Sequence, residues 1–392
     1  MLSVKDAIDK LVAAAEPLAS VQSVAVLESL GRTLARDIVA PVDVPPADNS
    51  AMDGYAFCYA DAAANNFQLP VTQRIAAGSA TQSLQPNSAA RIFTGAEIPA
   101  TADTVAMQEN CTDRDGVVAV DRAVKPGANI RPQGQDIKAG KTVLTAGTTL
   151  RAQEMGLLSS LGIVEVAVYK PLRVAIFSTG DELVEPGNRL QPGQIYNSNR
   201  ATLCGLIQAL GMQVIDLGTV ADNLAATEAV LQQAAAESDI IFSAGGVSVG
   251  EEDYVKTAVT RVGSLDFWKV AIKPGKPLAF GQVDNTPFIG LPGNPASVFV
   301  TFMILARPFL LASQGVDEVR PQFLLAKSLF ARSGESREVY LRARLQQDGV
   351  EIYPNQSSGV LASACWGDVF VRQQSGLSID EGDLIDVLPF AL

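Results

Sequence analysis

The chain has 392 residues, 47% hydrophobic and 18% charged, a balance that excludes wholesale disorder and a length that exceeds one compact core. Its 42 acidic against 30 basic side chains give a net charge of −12, a surface poorly suited to nucleic acid or an anionic membrane. It has no histidine, which removes Ser-His-Asp and Cys-His triads and His-built zinc sites, leaving acid–base work to Asp, Glu, Lys, Tyr or bound water.

In chain order, Ser3 to Leu18 reads as an amphipathic helix: Val4, Ala7, Ile8, Leu11, Val12 and Ala15 recur at helical spacing, Ser3 caps and Pro17 marks the exit. The proline-rich run 41–46 then stiffens the backbone as a domain boundary would. To about Gly147 the texture is short strands at Arg91–Phe93, Thr104–Gln108, Gly116–Val120 and Lys141–Leu144, which predicts a β-rich insert. From Lys170 strands alternate with helices. Strands are predicted at Leu172–Phe177, Met212–Leu217, Asp239–Phe242, Phe267–Ile272, Leu278–Phe280 and Phe288–Leu291, and helices at Asn199–Leu210, Leu224–Ala236, Glu252–Val262 and Pro295–Ala312. That alternation predicts right-handed crossovers, a mainly parallel sheet and ligand loops at the carboxyl ends of its strands. After about Pro321 short strands return at Val339–Leu345, Gly349–Pro354 and Asp368–Gln373, a small terminal β domain.

No basic segment followed by an apolar run opens the chain, so a secretory signal is not expected. The longest apolar stretch, Val298–Ala312, contains Arg307 and Pro308 and reads as too short for a bilayer. Cys58, Cys111, Cys204 and Cys365 lie far apart without a C-x-x-C pair, so reduced, mostly buried thiols in a cytoplasmic protein are expected.

Several loops carry chemistry. Strand Asp239–Phe242 runs into Ser243-Ala-Gly-Gly-Val-Ser-Val-Gly250, followed by Glu251, Glu252 and Asp253. Glycines allow close approach of a ligand and helix-start amides favour an anion; three carboxylates beside an anion make sense when Mg²⁺ bridges them. An ordinary glycine turn before an acidic helix start reads equally well. Pro292-Gly293-Asn294-Pro295 is either a well-made helix start or a ligand loop in the same sheet. Lys269, Lys273 and Lys276 place cations on a proline-stiffened segment where an acidic chain needs local attraction for an anion, or they are a solvated turn. Ser178-Thr-Gly180-Asp181-Glu182 ends another strand with adjacent carboxylates. In the insert, the segments 48–55 and 131–136 are dense in polar residues and glycine.

The segments DNSAMDGYAF (48–57), FTGAEIP (93–99), ADTV (102–105), IRPQGQDI (130–137), STGDELVEPG (178–187), SAGGVSVGEEDYVK (243–256), KPGKPLAFG (273–281) and GLPGNPAS (290–297) occur together and in order. In this the chain resembles the molybdopterin molybdenumtransferase family, MoeA and the gephyrin E domain, over nearly its whole length. One departure is Thr101, where the family usually has glycine, and the carboxy-terminal part matches most weakly. The resemblance implies a MoeA-like multidomain α/β plus β fold. Its parts would be a molybdopterin-binding α/β domain (1–20 and 169–321), a β-rich insert (41–140), a connecting domain (21–40 and 141–168) and a small β-barrel-like C-terminal domain (322–392). It implies an elongated homodimer that inserts molybdate into adenylylated molybdopterin with Mg²⁺, releasing AMP. Catalytic positions carried over by motif are Asp53, Thr94, Asp136, Glu182, Asp222, Asp253, Lys269 and Lys273. With the loop reading above, ligand contacts are expected from Ser178, Gly180, Gly245, Gly246, Ser248, Gly250, Lys276, Pro292, Gly293, Asn294 and Pro295, and Mg²⁺ at Asp181, Glu182 and Asp253. Expected partners are a second copy of the chain and small anionic substrates, with other molybdenum-cofactor biosynthesis proteins and apo-molybdoenzymes as further partners the family allows, and neither nucleic acid nor membrane. The dithiolene sulfurs of the substrate hold molybdenum, so the absence of histidine costs the chemistry nothing. A molybdopterin adenylyltransferase and a gephyrin-like scaffold are the alternatives.

Overall fold

A computed structural model describes residues 1–246 and 254–391, apart from the side chains of Phe267 and Trp268. The chain divides into two compact units, Met1–Arg36 with Ala146–Arg151 and Val166–Leu392, and Asp37–Thr145 with Ala152–Glu165.

The first unit is built on a six-stranded sheet in the order Gln213–Val220, Arg173–Thr179, Ile240–Ala244, Thr286–Leu291, Pro277–Val283 and Gly263–Lys269. The first four strands run parallel, and Pro277–Val283 is antiparallel to both neighbours. Both faces are covered, as a parallel sheet requires. Val174 and Ile176 point into one core with the helices Val4–Ala14 and Ser198–Ala209, while Ala175 and Phe177 point into another with Leu224–Glu237 and Tyr254–Val262. The first helix forms for the reasons the pattern gives: the Ser3 hydroxyl accepts from the Asp6 amide at 3.0 Å, and Val4, Ala7, Ile8 and Leu11 are buried.

The predicted helix 295–312 is not uniform. It runs Pro295–Thr301, opens into a π-turn at Phe302–Ala306 and resumes at Arg307–Ser313. Pro308 has no N–H for the carbonyl four residues back and its ring would collide with it, so the widened turn accommodates it. The whole segment Pro295–Ser313 is long and apolar enough to cross a membrane, which corrects the expectation from its length; 78% of its apolar window is packed inside the protein, the mark of a core helix. Phe299 reaches from it to Phe370 and Phe390, with ring centroids 5.5 and 5.1 Å apart, joining the α/β core to the C-terminal sheet. That sheet orders Ile272–Lys273, Glu338–Gln346, Val369–Gln373, Leu384–Pro389 and Leu324–Lys327, with Gly349–Ile352 paired to Glu338–Gln346. The lysine segment of the α/β part is thus a strand of the C-terminal sheet, paired Ile272 to Glu338 and Lys273 to Val339.

The second unit holds a mixed sheet in the order Thr104–Met107, Gly54–Phe57, Ala89–Ile92, Gln68–Ile75, Val117–Val120 and Cys111–Arg114. Thr101 does not disturb its turn: its hydroxyl accepts from the Leu84 amide at 2.9 Å and donates to the Leu84 carbonyl at 3.1 Å.

All four cysteines are free, but they are less buried than expected: Cys58, Cys111 and Cys204 are partly buried and Cys365, on the short helix Ala362–Trp366, is exposed. Burial pushes the Cys111 thiol up to about 11, so it stays protonated and unreactive at neutral pH.

Candidate functional site

The chain enters the parallel sheet at Arg173–Thr179, crosses to one side to form Gln213–Val220, then returns to the other side as Ile240–Ala244. The order reverses between Arg173–Thr179 and Ile240–Ala244, and a crevice opens at such a point where two carboxyl ends diverge. A cleft of about 810 Å³ lies there, walled by Thr179 and Gly180 from one strand end, Ala244 to Gly246 from the next, and Pro292 to Pro295 from the strand beyond. The Gly245 amide donates to the Leu291 carbonyl at 3.1 Å and Asn199 Nδ2 to the Gly293 carbonyl at 2.7 Å, which ties the second loop to the third and the third to the helix Ser198–Ala209.

Of the residues singled out from sequence, Gly180, Glu182, Asp222, Gly245, Gly246, Lys273, Lys276, Pro292, Gly293, Asn294 and Pro295 line this cleft. Asn294 occupies the N-cap but makes no capping hydrogen bond with its side chain. Ser178 is buried within its strand, so it supports the wall from behind. Asp181 is exposed and its Oδ1 accepts from the Asp222 amide at 3.3 Å. Lys269 is exposed at the end of an outer strand and is not part of the wall. Ser248, Gly250 and Asp253 lie outside the described residues.

The cleft has an acidic and a basic side. Glu182 and Asp222, with Asp181 beside Asp222, supply hard oxygen donors. Among the described residues no three acidic or sulfur side chains cluster as a metal cage. Mg²⁺ does not need one, since it keeps several waters and is held through one or two carboxylates plus substrate phosphate, so this donor set fits it. Strand order sets these carboxylates apart from Lys273, Lys276 and Arg337, since Ile240–Ala244 and Thr286–Leu291 lie between the strands that lead to Glu182 and Asp222 and the strand that begins after Lys276. Lys273 is not a bare cation: its ammonium lies 2.6 Å from Glu335, whose other oxygen is paired with Arg332. The Lys273 ammonium, and to a smaller degree Arg332 and Arg337, hold the Glu335 carboxyl below the usual carboxylate range.

Sequence reasoning missed Arg337, Gln356, Ser357 and Ser358 on the C-terminal side, and Asn197 to Asn199 at a helix start. Asn197 had a legible signal: it caps the helix Ser198–Ala209 by accepting from the Arg200 amide at 3.1 Å. It also donates to Thr219, whose hydroxyl donates to Glu185 at 2.6 Å. Arg200 closes the network on Glu185 and Asp216. The Thr219 hydrogen bond, then Arg200, lowers the Glu185 carboxyl against the opposing effect of burial.

In the second unit, Asp53 Oδ1 accepts both the amide and the hydroxyl of Thr94, each at 2.8 Å. Those two bonds lower the Asp53 carboxyl. Arg91 lies over the Tyr55 and Phe93 rings beside them. Asp136 follows Ile130–Arg131, which pairs antiparallel with Asn49–Ser50, and its amide donates to the Val44 carbonyl at 3.0 Å.

Comparison with known proteins decides the lineage. Residues 2–162 match the description "MoeA N-terminal region (domain I and II)", 175–312 match "Probable molybdopterin binding domain" and 329–390 match "MoeA C-terminal region (domain IV)". The chain belongs to the MoeA family. It is 41% identical over 373 residues to the molybdopterin molybdenumtransferase of Haemophilus influenzae, covering 93% of this chain and 92% of that one. A molybdopterin molybdenumtransferase of Staphylococcus epidermidis is 31% identical, covering 99% and 95%. Its fold is similar to the crystal structure of the molybdopterin biosynthesis MoeA protein of Pyrococcus horikoshii OT3, with TM-score 0.85, 27% identity and full coverage of both chains. The cleft is lined mainly from the matched region 175–312, with Arg337 and Gln356 to Ser358 coming from the matched region 329–390.

Proposed function

We infer that the chain is a molybdopterin molybdenumtransferase, inserting molybdate into adenylylated molybdopterin and releasing AMP. The observation that carries this reading is a cleft at the sheet's switch point with carboxylates on one side and lysine and arginine on the other. A phosphoanhydride and an oxyanion need those two environments side by side, and neither needs histidine or cysteine from the protein.

In this reading Glu182 and Asp222, with Asp181 beside them, hold Mg²⁺, which neutralises charge on the phosphoanhydride. The glycine backbone at Gly245, Gly246 and Gly293 lets the substrate's phosphates approach closely. Lys276 and Arg337, with Lys273, bind molybdate as a tetrahedral oxyanion and position it for the dithiolene sulfurs. The Arg337 guanidinium donates to the Ile272 carbonyl at 3.1 Å, which fixes it to the lysine segment. Asp53, Thr94 and Asp136 keep the catalytic roles implied by the family, and the enzyme works as a cytoplasmic homodimer in which each insert serves the partner's cleft. The domain division 1–20 with 169–321, 21–40 with 141–168, 41–140 and 322–392 is proposed with it.

The test is AMP release from adenylylated molybdopterin, with molybdate and Mg²⁺ each omitted in turn. Release that requires both supports the reading. Consumption of ATP with unmodified molybdopterin, without molybdate-dependent AMP release, would instead establish an adenylyltransferase.

A further inference from the structure

We propose that Glu335 is a built-in counter-ion of the basic side of the cleft, one that an incoming oxyanion must displace from Lys273 and that thereby sets how weakly the enzyme holds molybdate. This rests on the proposed placement of the oxyanion at Lys273, Lys276 and Arg337.

Glu335 itself is not part of the cleft wall, but its partner is. One carboxylate oxygen lies 2.6 Å from Lys273 Nζ and the other is paired with Arg332. Arg332 is in turn anchored on Gln373 Oε1 at 2.8 Å, and the Glu335 carbonyl accepts from the Gly376 amide at 2.7 Å. The carboxylate is therefore held from behind, while Lys273, half-exposed and at the end of a two-residue strand, is the member of the pair that lines the cleft. Three cations, Lys273, Arg332 and Arg337, act on this one carboxylate, and Glu335 sits below the usual carboxylate range, so it is charged at neutral pH. A fixed anion beside the mouth of an anion site does two things. It lowers the self-repulsion of the clustered cations in the empty cleft, and it competes with the ligand for one of them. The pair is partly exposed, so its strength is that of a surface ion pair, which makes exchange readily reversible.

The prediction is directional. Glu335→Gln keeps the volume and removes the competitor, so molybdate binds more tightly by roughly fivefold at low ionic strength. In turnover the gain falls on the molybdate KM rather than on kcat. In a Lys273→Gln background, the same substitution has a much smaller effect, because there is no ammonium left to release. The experiment is calorimetric titration of the four proteins (unmodified, each single variant and the double variant) with sodium molybdate, alongside molybdate KM in the full reaction. Tighter binding in Glu335→Gln that vanishes with Lys273→Gln supports the assignment. Unchanged or weaker binding in Glu335→Gln, or an equal gain with and without Lys273, overturns it. If molybdate saturates turnover yet Lys273→Gln leaves KM and affinity as they were, the oxyanion placement itself is wrong, and the role of Glu335 falls with it.

Discussion

Two glycines of the same cleft answer the same substitution in opposite ways. Gly246 has φ +66°, and a β-carbon there would lie 2.3 Å from Val255 Cγ2 and 2.8 Å from Thr179 Oγ1. Val255 is fully buried in the core behind the sheet, so it has nowhere to go. The left-handed backbone costs a side chain about 1 kcal/mol, and relieving the collision costs about 1–3 kcal/mol, so Gly246→Ala loses roughly 2–4 kcal/mol of stability. Gly293 is exposed on the cleft, and its added β-carbon would meet nothing nearer than Gly245 Cα at 3.7 Å, an ordinary contact. Gly293→Ala therefore leaves stability within about 0.5 kcal/mol, while filling space that the substrate's phosphates are proposed to use. Urea unfolding of both variants, with AMP release measured under conditions where each is folded, separates the two effects. Gly246→Ala should lower the unfolding midpoint, and Gly293→Ala should lower turnover at an unchanged midpoint. If Gly293→Ala is as unstable as Gly246→Ala, or is stable and fully active, the close-approach role of the Gly245–Gly293 pair is wrong.

Asp53→Asn keeps the volume but removes the charge that accepts both Thr94 bonds; molybdenum insertion should drop strongly with the melting temperature nearly unchanged, as calorimetry beside turnover would show. Glu185 has a folded pKa below its ordinary 4.5, so its contribution to stability is present above that pH and is lost as the pH falls through the folded value. Glu185→Gln should accordingly flatten the acid limb of the stability curve below about pH 4.5 and lower stability at pH 7, read by unfolding at each pH. Mixing inactive Asp53→Asn and Asp222→Asn subunits should restore part of the activity, because about half of randomly paired dimers are mixed and each then keeps one intact site. Folded, exchanging subunits with no recovery would refute the shared site.

What the sequence made legible was local. The strand–helix alternation after Lys170 and the loop Pro292–Pro295 follow from period and turn chemistry, except that the strand expected at Phe267–Ile272 is instead Gly263–Lys269 in the α/β sheet and Ile272–Lys273 in the C-terminal one, because the two ends of the apolar run pair with different partners. The strand Gln68–Ile75 was missed because Pro70 breaks a run whose other residues alternate; Pro70 sits opposite Val117, near the start of the strand, where the lost amide is tolerated. Arg337 and the turn Gln356 to Ser358 reach the cleft only because Ile272–Lys273 pairs with Glu338–Gln346, a contact between distant segments that no window of the sequence contains. The same is true of Lys273: its neighbours in sequence are prolines, a glycine and Lys276, which suggested a free cation, whereas its partner Glu335 comes from the far side of the sheet pairing.

The two sides of the cleft are therefore not equivalent in the free protein. On the basic side Lys273 is neutralised in place by Glu335, so a cluster of cations is tolerated until an oxyanion arrives. On the acidic side, among the described residues, neither Asp181 nor Glu182 is in an ion pair. Phosphates bound beside Asp181 and Glu182, as proposed, would be repelled by them unless a hard cation entered with the ligand. In a chain of net charge −12 the surrounding field reinforces that repulsion for a free anion and relieves it for a magnesium-neutralised one. With the ligands placed as proposed, the asymmetry would favour arrival of the phosphoanhydride already carrying Mg²⁺, and of molybdate by exchange against Glu335.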